Sequence, residues 1–127
     1  MNPVELCRAL GDPVRWRIVR LVCRNALCVC ELADILGMPQ SSVSSHVQII
    51  RRAGLLESEK CEKWTYFRVQ AQFLKLLRDL EAHTATPDPA WATDDRKTLK
   101  RLTVRENSCC PRPTHLFKPR RSSASQP

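Results

Sequence analysis

Long hydrophobic runs are missing from this 127-residue chain. No window approaches eighteen apolar residues, so no transmembrane span is expected. Nor does the amino terminus carry the uninterrupted apolar stretch of a secretory leader, because charged residues break it from Glu5 onward. Those two absences predict a soluble, cytoplasmic protein with no membrane partner. Missing as well are a Cys-x-x-Cys beside a βαβ pattern, a glycine-rich phosphate loop and a nucleophile with an evident base. His83 and His115 have no convincing partners, and no internal repeat is present. Catalysis is therefore not expected.

What the chain does have is positive charge and thiols. The formal net charge is +8, of which residues 1–86 carry +3 (12 basic, 9 acidic) and residues 87–127 carry +5 (9 basic, 4 acidic). A basic balance favours polyanions through counterion release, but most of this excess lies in the carboxy-terminal part. Seven cysteines is an odd number, and in a reducing compartment they stay free thiols. Cys7 and Cys23 read as small apolar residues, Cys23 following the apolar run Ile18-Val19-Arg20-Leu21-Val22. Cys28, Cys30, Cys61 and the vicinal pair Cys109-Cys110 remain to be explained.

The length fits one domain with a modest core. A short helix is predicted over residues 3–10. Asp12-Pro13 then starts a second, Asp as N-cap and Pro at the first helical position, with Val14, Ile18, Leu21 and Val22 at helical spacing and an end near Asn25. A third helix spans 28–36, capped by Gly37, and a fourth runs from about Gln40 to Ala53 with Val43, Val47 and Ile50 on its apolar stripe, Gly54 ending it. Two such helices joined by a short glycine-containing turn match a helix-turn-helix. Leu55–Lys60 and Trp64–Val69 read as strands, although the connecting Cys61-Glu62-Lys63 has no Gly, Asn or Pro to signal the turn. A last helix, Gln72–His83, places Phe73, Leu76, Leu77 and Leu80 on one face. The expected fold is mainly α with a small β-hairpin wing: a winged helix-turn-helix over residues 1–86. Residues 87–127 form a basic, Pro/Ser-rich tail, largely disordered, with a marginal helix at 91–102.

Opposite its apolar stripe the fourth helix carries Gln40, Ser41, Ser42, Ser44, Ser45, His46 and Gln48. Small hydroxyls let a helix lie close to base edges, and glutamine pairs bidentately with adenine. Arg51 and Arg52, with Lys60, Lys63 and Arg68 on the hairpin, are placed to reach phosphates and supply affinity rather than sequence information.

The run Leu10-Gly11-Asp12-Pro13-Val14-Arg15, Cys28-Val29-Cys30-Glu31-Leu32, Val43-Ser44-Ser45-His46, Arg52-Ala53-Gly54-Leu55-Leu56 and Trp64-Thr65-Tyr66-Phe67 resembles the ArsR/SmtB family, over roughly residues 3–83. The resemblance implies a winged-helix homodimeric repressor that leaves its operator DNA when a metal or metalloid binds. It also places Gln40, Ser42, Ser44, Ser45 and His46 against DNA and the first and last helices at a dimer interface.

Cys28 and Cys30 stand just before the DNA-reading helix. On a regular helix, positions i and i+2 face differently, so closing both on one ion would unwind or tilt the start of the third helix. That strain would favour a conformation that fits DNA poorly. Soft thiolates select arsenite, antimonite, cadmium or lead over hard cations. The arsenic-responsive pattern often has a third cysteine three residues on, where this chain has Ala33. The third thiolate is therefore expected from Cys109 or Cys110, with Cys7 and Cys61 less favoured. Asp79 and His83 lack the second histidine of the zinc-type and cobalt-type cluster. The competing reading keeps the DNA-binding fold and makes the thiols an oxidation sensor.

Overall fold

The computed structural model describes residues 1–84 and 88–105. The chain order is α1 (Pro3–Leu10), α2 (Pro13–Arg24), β1 (Leu27–Cys28), α3 (Val29–Leu36), α4 (Gln40–Arg52), β2 (Leu56–Cys61) and β3 (Trp64–Val69). A 3-10 turn at Ala71–Phe73 leads into α5 (Leu74–His83), and α6 (Pro89–Thr103) follows.

Local chemistry starts and stops the helices. Asn2 and Glu5 close a capping box on α1. Asp12 accepts from the N–H groups of Val14 (2.8 Å) and Arg15 (3.1 Å), with Pro13 at the first helical position of α2. Gly37, at φ 66°, ends α3 in the left-handed conformation that glycine reaches without strain and so permits the tight turn into α4.

The inward faces of these helices and the sheet make one core. Ile18, Val19 and Val22 of α2, Leu32 and Ile35 of α3, Val43, Val47 and Ile50 of α4, and Leu55 and Val69 are all fully buried. Each such side chain contributes about 1.5–3 kcal/mol of burial free energy. α4 packs against both α2 and α3, which fixes the direction in which it presents its polar face.

The sheet is three-stranded and antiparallel, in the order β1-β3-β2. β1 differs from the sequence expectation, which starts the third helix at Cys28 and has no strand before it. Cys28 pairs with Tyr66 and Leu27 with Phe67, so the base of the wing is stitched to the entry of α3. The wing closes through Glu62-Lys63, between the paired Cys61 and Trp64, with Glu62 at φ 56°. A non-glycine residue there explains why the turn carried no sequence signal.

Two expectations about the later chain need adjusting. On α5 only Leu77 of the predicted face is buried; Phe73 packs partly on the core, while Leu76 and Leu80 are 48% and 39% exposed. The marginal helix expected at 91–102 is α6, longer by a few residues and docked on the rest of the fold; residues 106–127 lie outside the described residues. Asp88 caps α6, accepting from the Ala90 N–H at 2.9 Å, and Pro89 opens it. Its docking is polar. Arg17 holds the buried Asp94 through two hydrogen bonds of 2.8 Å, and that carboxylate keeps the Arg17 guanidinium more firmly protonated than usual. Arg20 reaches Glu81 at 3.0 Å and Asp95 at 3.5 Å and lies 4.8 Å from the Trp91 ring centre. A segment docked by ion pairs shows little of the apolar periodicity that marks a packed helix.

Candidate functional site

Cys28 sits outside α3, not on it. Its backbone is extended (φ −93°, ψ 169°), and it serves as the N-cap of α3 in a capping box with Glu31, whose carboxylate accepts the Cys28 N–H at 3.2 Å. The helical i, i+2 argument for this pair therefore does not apply: one thiol belongs to the strand and the other, Cys30, to the first turn of α3. Cys28 is 2% exposed and Cys30 half-buried. With Cys28 and Tyr66 at its centre, a small cluster draws in Ala26, Cys30, Cys61 and Trp64. Cys61 thus reaches the thiol neighbourhood from the wing, whereas Cys7 is exposed on α1. Among the described residues, no three His, Cys, Asp or Glu side chains are close enough to hold a metal ion. Cys109 and Cys110 lie outside the described residues.

A cavity of about 290 Å³ opens beside the two thiols. One wall is Cys28, Val29 and Cys30; another is Ser44, Gln48 and Arg51 of α4; Lys63, Trp64, Thr65 and Phe67 of the wing complete it. Positions 44, 48 and 51 follow i, i+4, i+7 spacing, so one stripe of α4 faces the thiols. Gln40, Ser41 and Ser45 are exposed, and Ser42 is half-buried. Ser45 donates to the Ser41 carbonyl at 3.1 Å. His46 is half-buried and turned toward α2, its Nδ1 3.4 Å from Arg15 Nη1. Arg15 in turn donates to the carbonyls of Ala9 (2.9 Å) and Arg8 (3.0 Å), so His46 and the α1–α2 corner are tied together. Arg52 is exposed on the α1 side of α4, beside Glu5, Arg8 and Ile49, away from the thiol cavity. Lys63 projects from the wing tip 5.2 Å from the Trp64 ring centre. Arg68 is ion-paired with Glu57 across the wing, which leaves Lys60 and Lys63 as the hairpin's exposed cations.

Sequence reasoning missed two residues here. Glu31 is 0% exposed and Arg105 only 9%. Arg105 Nε donates to Glu31 Oε2 at 2.7 Å and Nη2 donates to Oε1 at 2.9 Å. The spacing from Cys28 to Glu31 is that of a capping box, a signal hidden because the cap is cysteine rather than serine or threonine.

The family model for the bacterial regulatory proteins of the arsR family matches residues 12–58, the span from the α2 cap through the helix-turn-helix into β2. An HTH-type transcriptional regulator of Methanocaldococcus jannaschii is 35% identical over 81 residues, 60% of this chain and 91% of its own length. The chain belongs to the ArsR/SmtB family. This ArsR-family chain is a DNA-binding transcriptional regulator, not an enzyme. The arsenic resistance transcriptional regulator ArsR2 of Pseudomonas putida is 27% identical over 114 residues, covering 87% of this chain and 99% of that protein. Among solved structures, the cadmium metal-sensor CMTR of Mycobacterium tuberculosis superposes with a TM-score of 0.56 at 27% identity, covering 67% of this chain and 90% of that one. The relatives include metal-responsive and arsenical-responsive repressors with the same winged helix-turn-helix. No helix among the described residues is long and apolar enough to cross a membrane.

Proposed function

We propose that this ArsR-family repressor binds operator DNA as a homodimer and releases it when arsenite or antimonite is captured by Cys28, Cys30 and a thiolate from Cys109 or Cys110. The observation that carries the reading is the shared cavity, in which the two thiols and the α4 stripe Ser44-Gln48-Arg51 face one another. Exposed Gln40, Ser41 and Ser45, with Ser42, Ser44 and His46, supply base-edge contacts, and Arg52 and Lys63 reach phosphates.

Capture is a ligand exchange without redox change. Each thiol replaces one hydroxide of trihydroxyarsenic, forming an As–S bond, breaking an As–O bond and releasing water. Cys28 is held in the β1 ladder and in the α3 cap, so drawing its sulfur toward that of Cys30 strains both the wing base and the start of α3. An ion that binds better in the strained arrangement shifts the population away from the DNA-binding one, and a coupling of about 1–3 kcal/mol changes operator affinity roughly 5–150-fold. Cadmium is the competing inducer, supported by the likeness to the cadmium sensor.

An operator gel shift titrated in parallel with arsenite, antimonite and cadmium tests the reading. Arsenite should release the wild-type protein and leave Cys28→Ser and Cys30→Ser bound. Release of both variants at the wild-type arsenite concentration would remove the site.

A further inference from the structure

We propose that the cleft between α2 and α5 is a binding site for a small aromatic monocarboxylate, separate from the thiol pair and from the DNA-reading face. The inference does not rest on Cys28 and Cys30 as ligands, and its test needs neither arsenite nor DNA.

Helical spacing builds the cleft. Trp16, Arg20 and Arg24 recur at i, i+4 and i+8 on α2, and Leu74, Arg78 and Glu81 at i, i+4 and i+7 on α5. Each helix therefore turns one stripe toward the other, and between them lies a cavity of about 230 Å³. Its floor is apolar. Val19 and Leu77 belong to the buried core, and Trp16 and Leu74 are half-buried above them. Leu76 and Leu80, the exposed leucines of α5, do not line it.

The polar lining is mostly cationic. Three arginines face the single carboxylate of Glu81, which is already taken by Arg20 Nε at 3.0 Å. Arg24 has only a 3.8 Å contact with Asp95, its side chain 64% exposed. Arg78 is exposed and belongs to no ion pair among the described residues. Arg20 is different, being only 9% exposed. Its Nη2 makes a long 3.5 Å contact with Asp95, and its Nη1 is buried with no hydrogen-bond partner among the described residues. A buried donor left unpaired is costly, and a ligand oxygen that pairs it removes the cost. Nη1 is sealed from solvent, so it is reached as the guanidinium gives up the long Asp95 contact. A carboxylate then takes Nη1 and Nη2 together, in the planar fork that arginine offers and lysine does not.

Size and lining set the rest of the ligand. At the packing density of protein interiors the cavity holds roughly ten to a dozen non-hydrogen atoms, a ring with a short acid side chain. Trp16 gives that ring an aromatic surface to pack on. An inorganic anion would leave the apolar floor wet, and a nucleotide is too large. One negative charge on a flat apolar body matches both halves of the site.

The test titrates the full-length protein with trans-cinnamate, and with its uncharged amide as control, by calorimetry and by the indole N–H signals of the three tryptophans. Cinnamate should bind saturably at one per chain and shift the Trp16 signal while that of Trp64, on the wing, stays in place. The amide should bind at least tenfold more weakly. Arg78→Glu alters an exposed residue, so the fold should survive; cinnamate affinity should fall at least tenfold while the amide is unaffected. Arg20→Lys keeps the charge without the fork and should weaken cinnamate at least fivefold. Because Arg20 also holds Glu81 and Asp95, Arg78→Glu decides if that variant fails to fold. No saturable binding at millimolar cinnamate, equal binding of the amide, or full affinity in Arg78→Glu overturns the proposal. Inorganic phosphate that displaces cinnamate at equal concentration overturns it too, since the apolar floor would then contribute nothing. Binding seen only after Leu76→Glu and Leu80→Glu would show that a second copy of the chain fills the cleft, and the ligand site falls.

Discussion

At the scale of single residues, Asp12 shows how a cap ties stability to pH. Burial works to raise its carboxyl, but the N–H groups of Arg15 and Val14 and the charges of Arg15 and His46 outweigh it and hold it below the ordinary carboxylate range. A carboxyl lowered in the fold adds stability above its unfolded value, near 3.9, and loses it as pH falls through the folded one. Asp12→Ala should cost about 1 kcal/mol at pH 7, the usual worth of a helix cap. Asp12→Asn keeps a cap oxygen without the charge, so its deficit against wild type should shrink once the pH drops below about 4. Urea midpoints measured at pH 7, 5 and 3 check this; a deficit that stays constant across that range refutes it. The same corner holds Arg15 against His46, so a weakened cap also loosens one side of α4.

Among the elements, β1 and the docking of α6 mark where sequence patterning stops informing. Helices α1 to α5 and the wing announce themselves through caps and apolar periodicity, and Asp12-Pro13, Gly37 and Gly54 punctuate them. The two-residue β1 is defined by its pairing to β3, forty residues away in the chain, and no local pattern specifies that. Likewise α6 docks through partners that lie on α2 and α3. The candidate site divides along the same line: Cys28, Cys30 and the α4 serines were legible from spacing, while Glu31–Arg105 needed tertiary structure. Asp94 gives a direct test of α6. It is 1% exposed and its partner Arg17 only 21% exposed at the side chain. Removing one member of a fully buried pair costs about 3–5 kcal/mol, and because Arg17 retains some solvent, about 2 kcal/mol is expected for Asp94→Ala. Hydrogen exchange should then show α6 amides opening while those of α2, α3 and α4 keep their protection. Unchanged α6 protection would mean that the ion pair is not what docks it.

For the whole molecule, three of the exposed apolar residues, Val4, Leu76 and Leu80, lie on α1 and α5, where the proposed dimer would need them, while Leu99 is exposed on α6. Leu76 and Leu80 share a face of α5, one turn apart, and Val4 on α1 is 64% exposed. A monomer gains nothing from keeping such residues in water, and burying each leucine is worth about 1.5–3 kcal/mol. The paired Leu76→Glu and Leu80→Glu change puts two like charges at i, i+4 on that face, adding repulsion to lost burial. Leu77, which holds α5 to the core, is untouched, so the fold itself should survive with an unchanged circular dichroism spectrum. Sedimentation equilibrium should show a monomer at concentrations where the wild type is a dimer. Two recognition helices read two half-sites at once, so the monomer should lose more than tenfold in operator affinity. The slope of log affinity against log salt should fall by about half, because half the phosphate contacts are gone. A variant that remains dimeric would move the interface off α5, and one that is monomeric with full operator affinity would show that a single chain carries the DNA contacts.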